Sequence, residues 1–348
     1  MMKYFFLLNV VLLLNSCSHK QDSNNFSMVK METIYSDSLS CRAISVSDNE
    51  LWFAGNNGKY GMIDLISEKK VFKGRIQKDS IFPEFRSIAV TNKGVFLLSV
   101  ANPALLYKLS KDRKRVDLVY QEIHNKVFFD SMQFLNDDFG IAMGDPVENC
   151  LNVIQTRDGG KTWTKIACEN LPNVEEGEAA FAASNTNLML RGNSIFMVSG
   201  GKKSRCFVSE DKGKTWKVYA TPIIQGEAMT GIFTADFYDD KIGIIAGGNY
   251  EEQENSTNNK AITFDGGKTW KLIGNGKGFG YTSCVQFVPN SDGNEIVSVG
   301  GTGIHYSSDR GKNWKLLNET KDLYTIRFQN DTIAYAAGKN KIVKMTFK

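Results

Sequence analysis

Five residues whose types suit recognition or catalysis stand at the starts of apolar segments that read as inner strands: Arg42, Arg86, Asp130, Glu178 and Tyr324. Aligning those segments on their apolar residues puts the five at one corresponding level. Two carboxylates flanked by arginines are what a glycoside hydrolase needs, one acting as acid and the other as nucleophile or base. Guanidinium forks would clamp a substrate carboxylate. Without chemistry, the same set would bind a polar ligand or a chain terminus. The plainer alternative is a ring of solvated strand ends whose charges pair with one another. Asp145 follows an apolar strand ending in Gly144, and either extends this group or caps a turn. Tyr250 and Tyr281 follow strand ends and offer stacking faces or rim packing. The polar run Glu251 to Asn259 is a contact loop or a solvated one.

Other chemistry finds no support. With three His and no CxxC pair, there is no metal-ligand cluster. Gly-Lys-Thr occurs in the chain, but the Gly that a phosphate-binding loop needs five residues earlier is replaced by Gln155, Val208 and Ile262. Gly274-Asn275-Gly276-Lys277-Gly278-Phe279 breaks the dinucleotide-binding spacing, so no cofactor is expected. The charge is near balance, 42 basic against 38 acidic residues, which gives no electrostatic case for nucleic acid.

The elements that position these residues are set by a repeat. Ser/Thr-x-Asp-x-Gly-x-Thr/Asn-Trp occurs four times, with Asp158 and Trp163, Asp211 and Trp216, Asp265 and Trp270, and Asp309 and Trp314. The intervals are about 45–55 residues, near the length of a four-stranded propeller blade. The chemistry is turn chemistry. The carboxylate accepts backbone N–H bonds, the Gly takes a positive φ, and the Trp carries apolar area into the packing. A residue repeated in every corner is repeated for folding, so these eight residues read as structural.

Strand–turn–strand patterns precede the boxes and recur without them. Inner strands starting near Arg42, Arg86, Asp130, Glu178, Gly231, Ser283 and Tyr324 predict an all-β propeller of seven blades. Six or eight stay open, because blades without a box are harder to count. Leu323 to Lys348 has room for only three strands. Met28 to Tyr35 is expected to supply the fourth, closing the ring and hiding its edges. Counting outward from Thr156 and Trp163 brings Cys150 and Cys168 opposite each other within one residue, predicting a disulfide. Cys41, Cys206 and Cys284 read as small buried strand residues.

The first residues read as an export signal: Lys3, then an apolar run Tyr4 to Leu14, too short to span a bilayer. Leu14-Asn15-Ser16-Cys17 resembles a bacterial lipobox in which Cys17 is diacylated and becomes the mature N-terminus. The expected organisation is a signal peptide over 1–16, a lipidated polar tether over 17–27 and a propeller over 28–348. Export would place the body in an oxidising compartment of the bacterial envelope, on the periplasmic face or the outer membrane, with the lipid as its only membrane attachment.

The boxes resemble those of sialidases and other BNR-repeat propellers. Gly144-Asp145-Pro146-Val147, Gly177-Glu178-Ala179-Ala180-Phe181-Ala182-Ala183-Ser184-Asn185 and Gly247-Gly248-Asn249-Tyr250 narrow the likeness to the photosystem II stability/assembly-factor-like propellers, over roughly 28–348. That resemblance implies a seven-bladed propeller that binds other proteins and holds no cofactor. Three functions follow as expectations: a non-catalytic, membrane-tethered assembly scaffold for another envelope protein or a polar ligand; a sialidase-like hydrolase; and a surface carbohydrate-binding lipoprotein. Against the second, the Phe/Tyr-Arg-Ile-Pro segment of sialidases is represented only by Phe85-Arg86-Ser87-Ile88, and sialidases use six blades.

Overall fold

In the computed structural model, residues 25–47, 49–67 and 71–348 are described. The chain is an all-β propeller. Strands such as Phe85–Thr91, Gly94–Ser99, Ala104–Leu109 and Val116–Glu122 form up-and-down antiparallel sheets, each innermost strand facing the axis. Val29–Val46, Phe85–Thr91, Phe129–Phe134, Leu188–Arg191, Thr230–Phe237, Cys284–Phe287 and Leu323–Phe328 touch in that order around the axis and close the ring, with Val29–Val46 and Leu323–Phe328 belonging to one sheet. Apolar clusters fill the gaps between neighbouring sheets. One joins Ala43 and Trp52 to Phe85 and Leu97, and the next joins Phe96 to Met132 and Ile154.

The count of seven blades is corrected to six. Val29–Val46 is one unbroken strand of 18 residues. Its first half pairs with Ile333–Phe347, from Val29↔Phe347 to Ser40↔Lys339, and its second half with Glu50–Gly55. The sheets counted as first and last are therefore a single six-stranded sheet. The segment at Glu178 is not an inner strand either. Glu178–Ala179 pairs only with Gly200–Gly201, which carries it into the sheet of Thr230–Phe237. A count of strand starts cannot show that a chain runs from one sheet into the next without a turn.

The four box corners share one geometry. Thr156, Ser209, Thr263 and Ser307 each donate from the hydroxyl to their box Asp at 2.8 Å. Each hydroxyl also accepts the N–H of the second box glycine position, at 2.8–3.0 Å. Asp211 accepts from the Thr215 hydroxyl at 2.6 Å and from the Lys214 and Thr215 N–H groups at 3.0 and 2.8 Å. These bonds hold its carboxyl down at about 2. Trp163 is buried, and the indoles of Trp216, Trp270 and Trp314 donate back to Gly213, Gly267 and Gly311.

Cys150 and Cys168 form a disulfide, with Cα atoms 5.6 Å apart. Cys168 starts a short 3₁₀ turn, Cys168–Asn170, rather than lying in a strand. Cys41, Cys206 and Cys284 are free and buried. Among the described residues no helix is long and apolar enough to cross a membrane, and no group of His, Cys, Asp and Glu is placed to hold a metal. Cys17 and the signal segment lie outside the described residues.

Candidate functional site

The ladders of five of these inner strands slip by one residue toward one end of the channel. The slips fall between Cys41 and Ala43, Phe85 and Ser87, Ile232 and Thr234, and Leu323 and Thr325. A fifth ladder slips on the partner strand, between Met143 and Gly144, which leaves Asp130 as the extra residue. The bulged residues are thus Arg42, Arg86, Asp130, Phe233 and Tyr324. A bulge re-aims its side chain away from the alternation of the ladder, and all five bulges lie toward the same end of the channel.

There the protein holds a cavity of about 400 Å³. Arg42, Arg86, Asp145, Tyr250 and Tyr281 line it, together with Phe128, Met229, Phe233 and the segment Ala179–Ala183. A smaller adjoining space of about 90 Å³ adds Tyr324, Gln253 and Lys321. One wall is aromatic. Phe181 stacks on Phe233 at 3.9 Å, Phe233 meets Tyr281 edge-on at 4.9 Å, and Tyr281 meets Tyr250 edge-on at 5.1 Å.

The other wall is charged. The Arg42 guanidinium lies 4.2 Å from the Tyr324 ring centroid and donates to the Ala183 carbonyl at 3.2 Å. Its Nε is buried without a partner, and among the described residues no carboxylate pairs with it. Burial, then the nearby Arg86, lowers its proton affinity. Arg86 pairs with Glu84 at 2.7 Å. Asp145 accepts the Ala180 N–H at 2.8 Å, and burial raises its carboxyl to about 6. Asp130 is fully buried behind the cavity and neither oxygen has a hydrogen-bond partner. The Asp145 N–H that faces it is committed to the Phe128 carbonyl at 2.8 Å. Burial and the neighbouring Asp145 carboxylate push Asp130 well above the usual range, against the pull of Arg86.

Glu178 does not join this group, which corrects the expected level ring. Its carboxylate is buried and taken up by Arg205 Nε at 3.0 Å, Arg205 Nη2 at 2.5 Å and the Ser199 hydroxyl. It also accepts the Glu175 N–H at 2.8 Å. Arg205 lies in a separate hairpin strand, Arg205–Ser209, so nothing near Glu178 in sequence signals the pairing. What Glu178 anchors is the segment that follows it. Ala179–Ala183 lines the cavity, and Ser184–Asn187 fills the channel beneath. Asn185 holds Met132 N–H at 2.9 Å and the Ile88 carbonyl at 3.0 Å. Ser184 donates to the Ser283 carbonyl at 2.6 Å, and Arg327 donates to the Ser184 carbonyl at 3.0 Å. The residues not singled out from sequence are therefore Phe128, Phe181, Met229, Phe233, Arg205 and Arg327. The alanine-rich run around Phe181 was the visible signal for the plug.

Residues 261–272, which include the third box, match the BNR/Asp-box repeat. The fold is that of a BNR-type propeller. No curated protein sequence matches the chain. Among solved structures, one described as YCF48 bound to D1 peptide superposes with a TM-score of 0.65 at 12% identity, over 94% of this chain and 99% of that one. YCF48 from Cyanidioschyzon merolae gives 0.61 at 12% identity, over 92% and 98%. The Pan2 WD40 domain of Neurospora crassa gives 0.63 at 15% identity, over 94% and 96%. At these identities the likeness is one of fold.

Proposed function

We propose that the chain is a non-catalytic binding propeller, exported and held to the cell envelope by a lipid on Cys17, which captures a segment of another envelope protein at the Arg42 mouth. The proposed organisation is a signal peptide over 1–16, a tether over 17–27 and the propeller over 28–348. One observation carries the reading: Arg42 is a half-buried cation, without a carboxylate partner, in a cavity whose opposite wall is aromatic. A half-buried cation is costly unless an anion meets it. A peptide carboxylate, from an acidic side chain or a chain terminus, would supply the charge while an apolar side chain packs on Phe233 and Tyr281. That a YCF48 propeller has been solved with a D1 peptide supports a peptide as the class of ligand.

The hydrolase reading loses its second carboxylate, since Glu178 is bound to Arg205. The carbohydrate reading gains no platform from the box Trp residues, which pack or bond within their own corners. The test is a pull-down from detergent-solubilised envelopes with the wild type and with the Arg42→Ala/Arg86→Ala double variant. A protein retained by the wild type and released by the folded variant is the expected result. An identical set on both, or none on either, overturns the proposal.

A further inference from the structure

The chain leaves the propeller at the end opposite the mouth. Leu323–Phe328 runs from the mouth, where Leu323 and Tyr324 line the smaller cavity, to Phe328. Its six residues make that about 17 Å at the usual rise. At the far end Phe328 lies 5.5 Å from Phe347, whose N–H bonds to the Thr332 carbonyl, and Phe347 lies 5.1 Å from Phe26. Phe26 also packs at 4.9 Å on Tyr306, the residue before the fourth box. That box is at the far end too, because Gly303 pairs with Gly300, which lines the mouth, while Ser307 pairs with Ile296. The first described residues thus emerge beside the box turns.

Resting on the lipidation of Cys17 proposed above, we infer that the box face is turned to the bilayer and that the Arg42 mouth opens away from it. Cys17 and Asn25 are eight residue steps apart, a reach of at most about 29 Å fully extended. Turning the mouth to the lipid would need that stretch to run back along a blade, at least the about 17 Å of its inner strand, and would use up most of its reach. The partner is then a soluble protein or an extramembranous segment reaching the mouth from the aqueous side, not a lipid-embedded helix.

The test uses full-length lipidated protein in phosphatidylglycerol/phosphatidylethanolamine vesicles. A fluorophore is placed on Lys312→Cys, in a box turn, or on Glu251→Cys, beside Tyr250 at the mouth. Both positions are exposed and the native free thiols are buried. A headgroup-bound quencher should quench the Lys312→Cys label severalfold more than the Glu251→Cys label. Equal or reversed quenching on protein whose mass shows a diacylated Cys17 overturns the orientation alone. An unmodified Cys17, or vesicle binding that survives Cys17→Ser, overturns the tether and the orientation with it.

Discussion

The guanidinium of Arg42 lies over the ring of Tyr324, 4.2 Å from its centroid, in a cavity that also holds Arg86 and in which no carboxylate forms an ion pair with it among the described residues. If it serves the proposed capture of a peptide carboxylate, such a group is kept at some cost to stability. Arg42→Met keeps the aliphatic contact with Tyr324 and removes the charge. The variant should melt at the same temperature as the wild type or above it, while the affinity for a captured carboxylate-bearing peptide falls about 10- to 100-fold, as expected for losing one charge-assisted hydrogen bond. Calorimetry on the variant and the wild type gives both numbers. A clear loss of stability with unchanged affinity would make Arg42 a structural residue.

Glu178 and Arg205 should behave as one structural unit. The pair is buried, and removing one partner leaves the other uncompensated, a loss of about 3–5 kcal/mol in comparable cases. Glu178→Ala and Arg205→Ala should each destabilise on that scale, and the double variant by much less than the sum. Denaturant unfolding of the three variants checks the coupling. Additive losses would show that Glu178 is not held by Arg205. Hydrolysis of a fluorogenic sialoside that Asp130→Ala abolished would restore a catalytic role to the mouth.

Asp145 should set a pH dependence of stability. Its carboxyl is raised from 3.8 to about 6 by burial. The folded state then binds the proton more tightly than the unfolded chain. Its contribution is complete below about pH 4 and is lost as pH rises through 6. The shift corresponds to something on the order of 2–3 kcal/mol. Asp130 is displaced in the same direction. Unfolding free energies between pH 4.5 and 7.5 should fall more steeply for the wild type than for Asp145→Asn, whose amide oxygen can still accept the Ala180 N–H. Parallel curves would mean that Asp145 is well solvated.

What was legible in the sequence was whatever local chemistry repeats. The boxes were, because an Asp, a Gly and a Trp at fixed spacing specify a corner without help from the rest of the chain. Arg42 and Arg86 at strand starts, and Asp145, Tyr250 and Tyr281 after strand ends, line one cavity because both kinds of position lie at one mouth of the propeller. Less visible was where strands end. Val29–Val46 changes partner, from Ile333–Phe347 to Glu50–Gly55, with no turn residue to mark it, so two expected blades are one sheet. Glu178 looked like its neighbours at strand starts, yet its environment is set by Arg205 from another hairpin. Phe233 was missed because its alternation reads as an ordinary buried strand, and only the bulge between Ile232 and Thr234 turns it to the mouth.

Two box glycines separate the backbone requirement from packing. Gly160 and Gly213 occupy the same position in their boxes, with φ of +70° and +80°. A methyl group at either is strained by that conformation, a cost of about 1–2 kcal/mol. They differ in what it would meet. At Gly160 the added Cβ would stand 2.1 Å from the ring of Phe96, which is fully buried and stacked on Phe134 at 4.5 Å. At Gly213 the nearest atoms are at 3.5 and 3.6 Å, ordinary contact distances. Gly213→Ala should therefore lose about 1–2 kcal/mol, and Gly160→Ala a further 1–3 kcal/mol for overpacking the core. Thermal and urea unfolding of the two variants gives the difference directly. Equal losses would show that the first corner relaxes away from Phe96 without cost, and that the box turn is less firmly seated on the core than its hydrogen bonds imply.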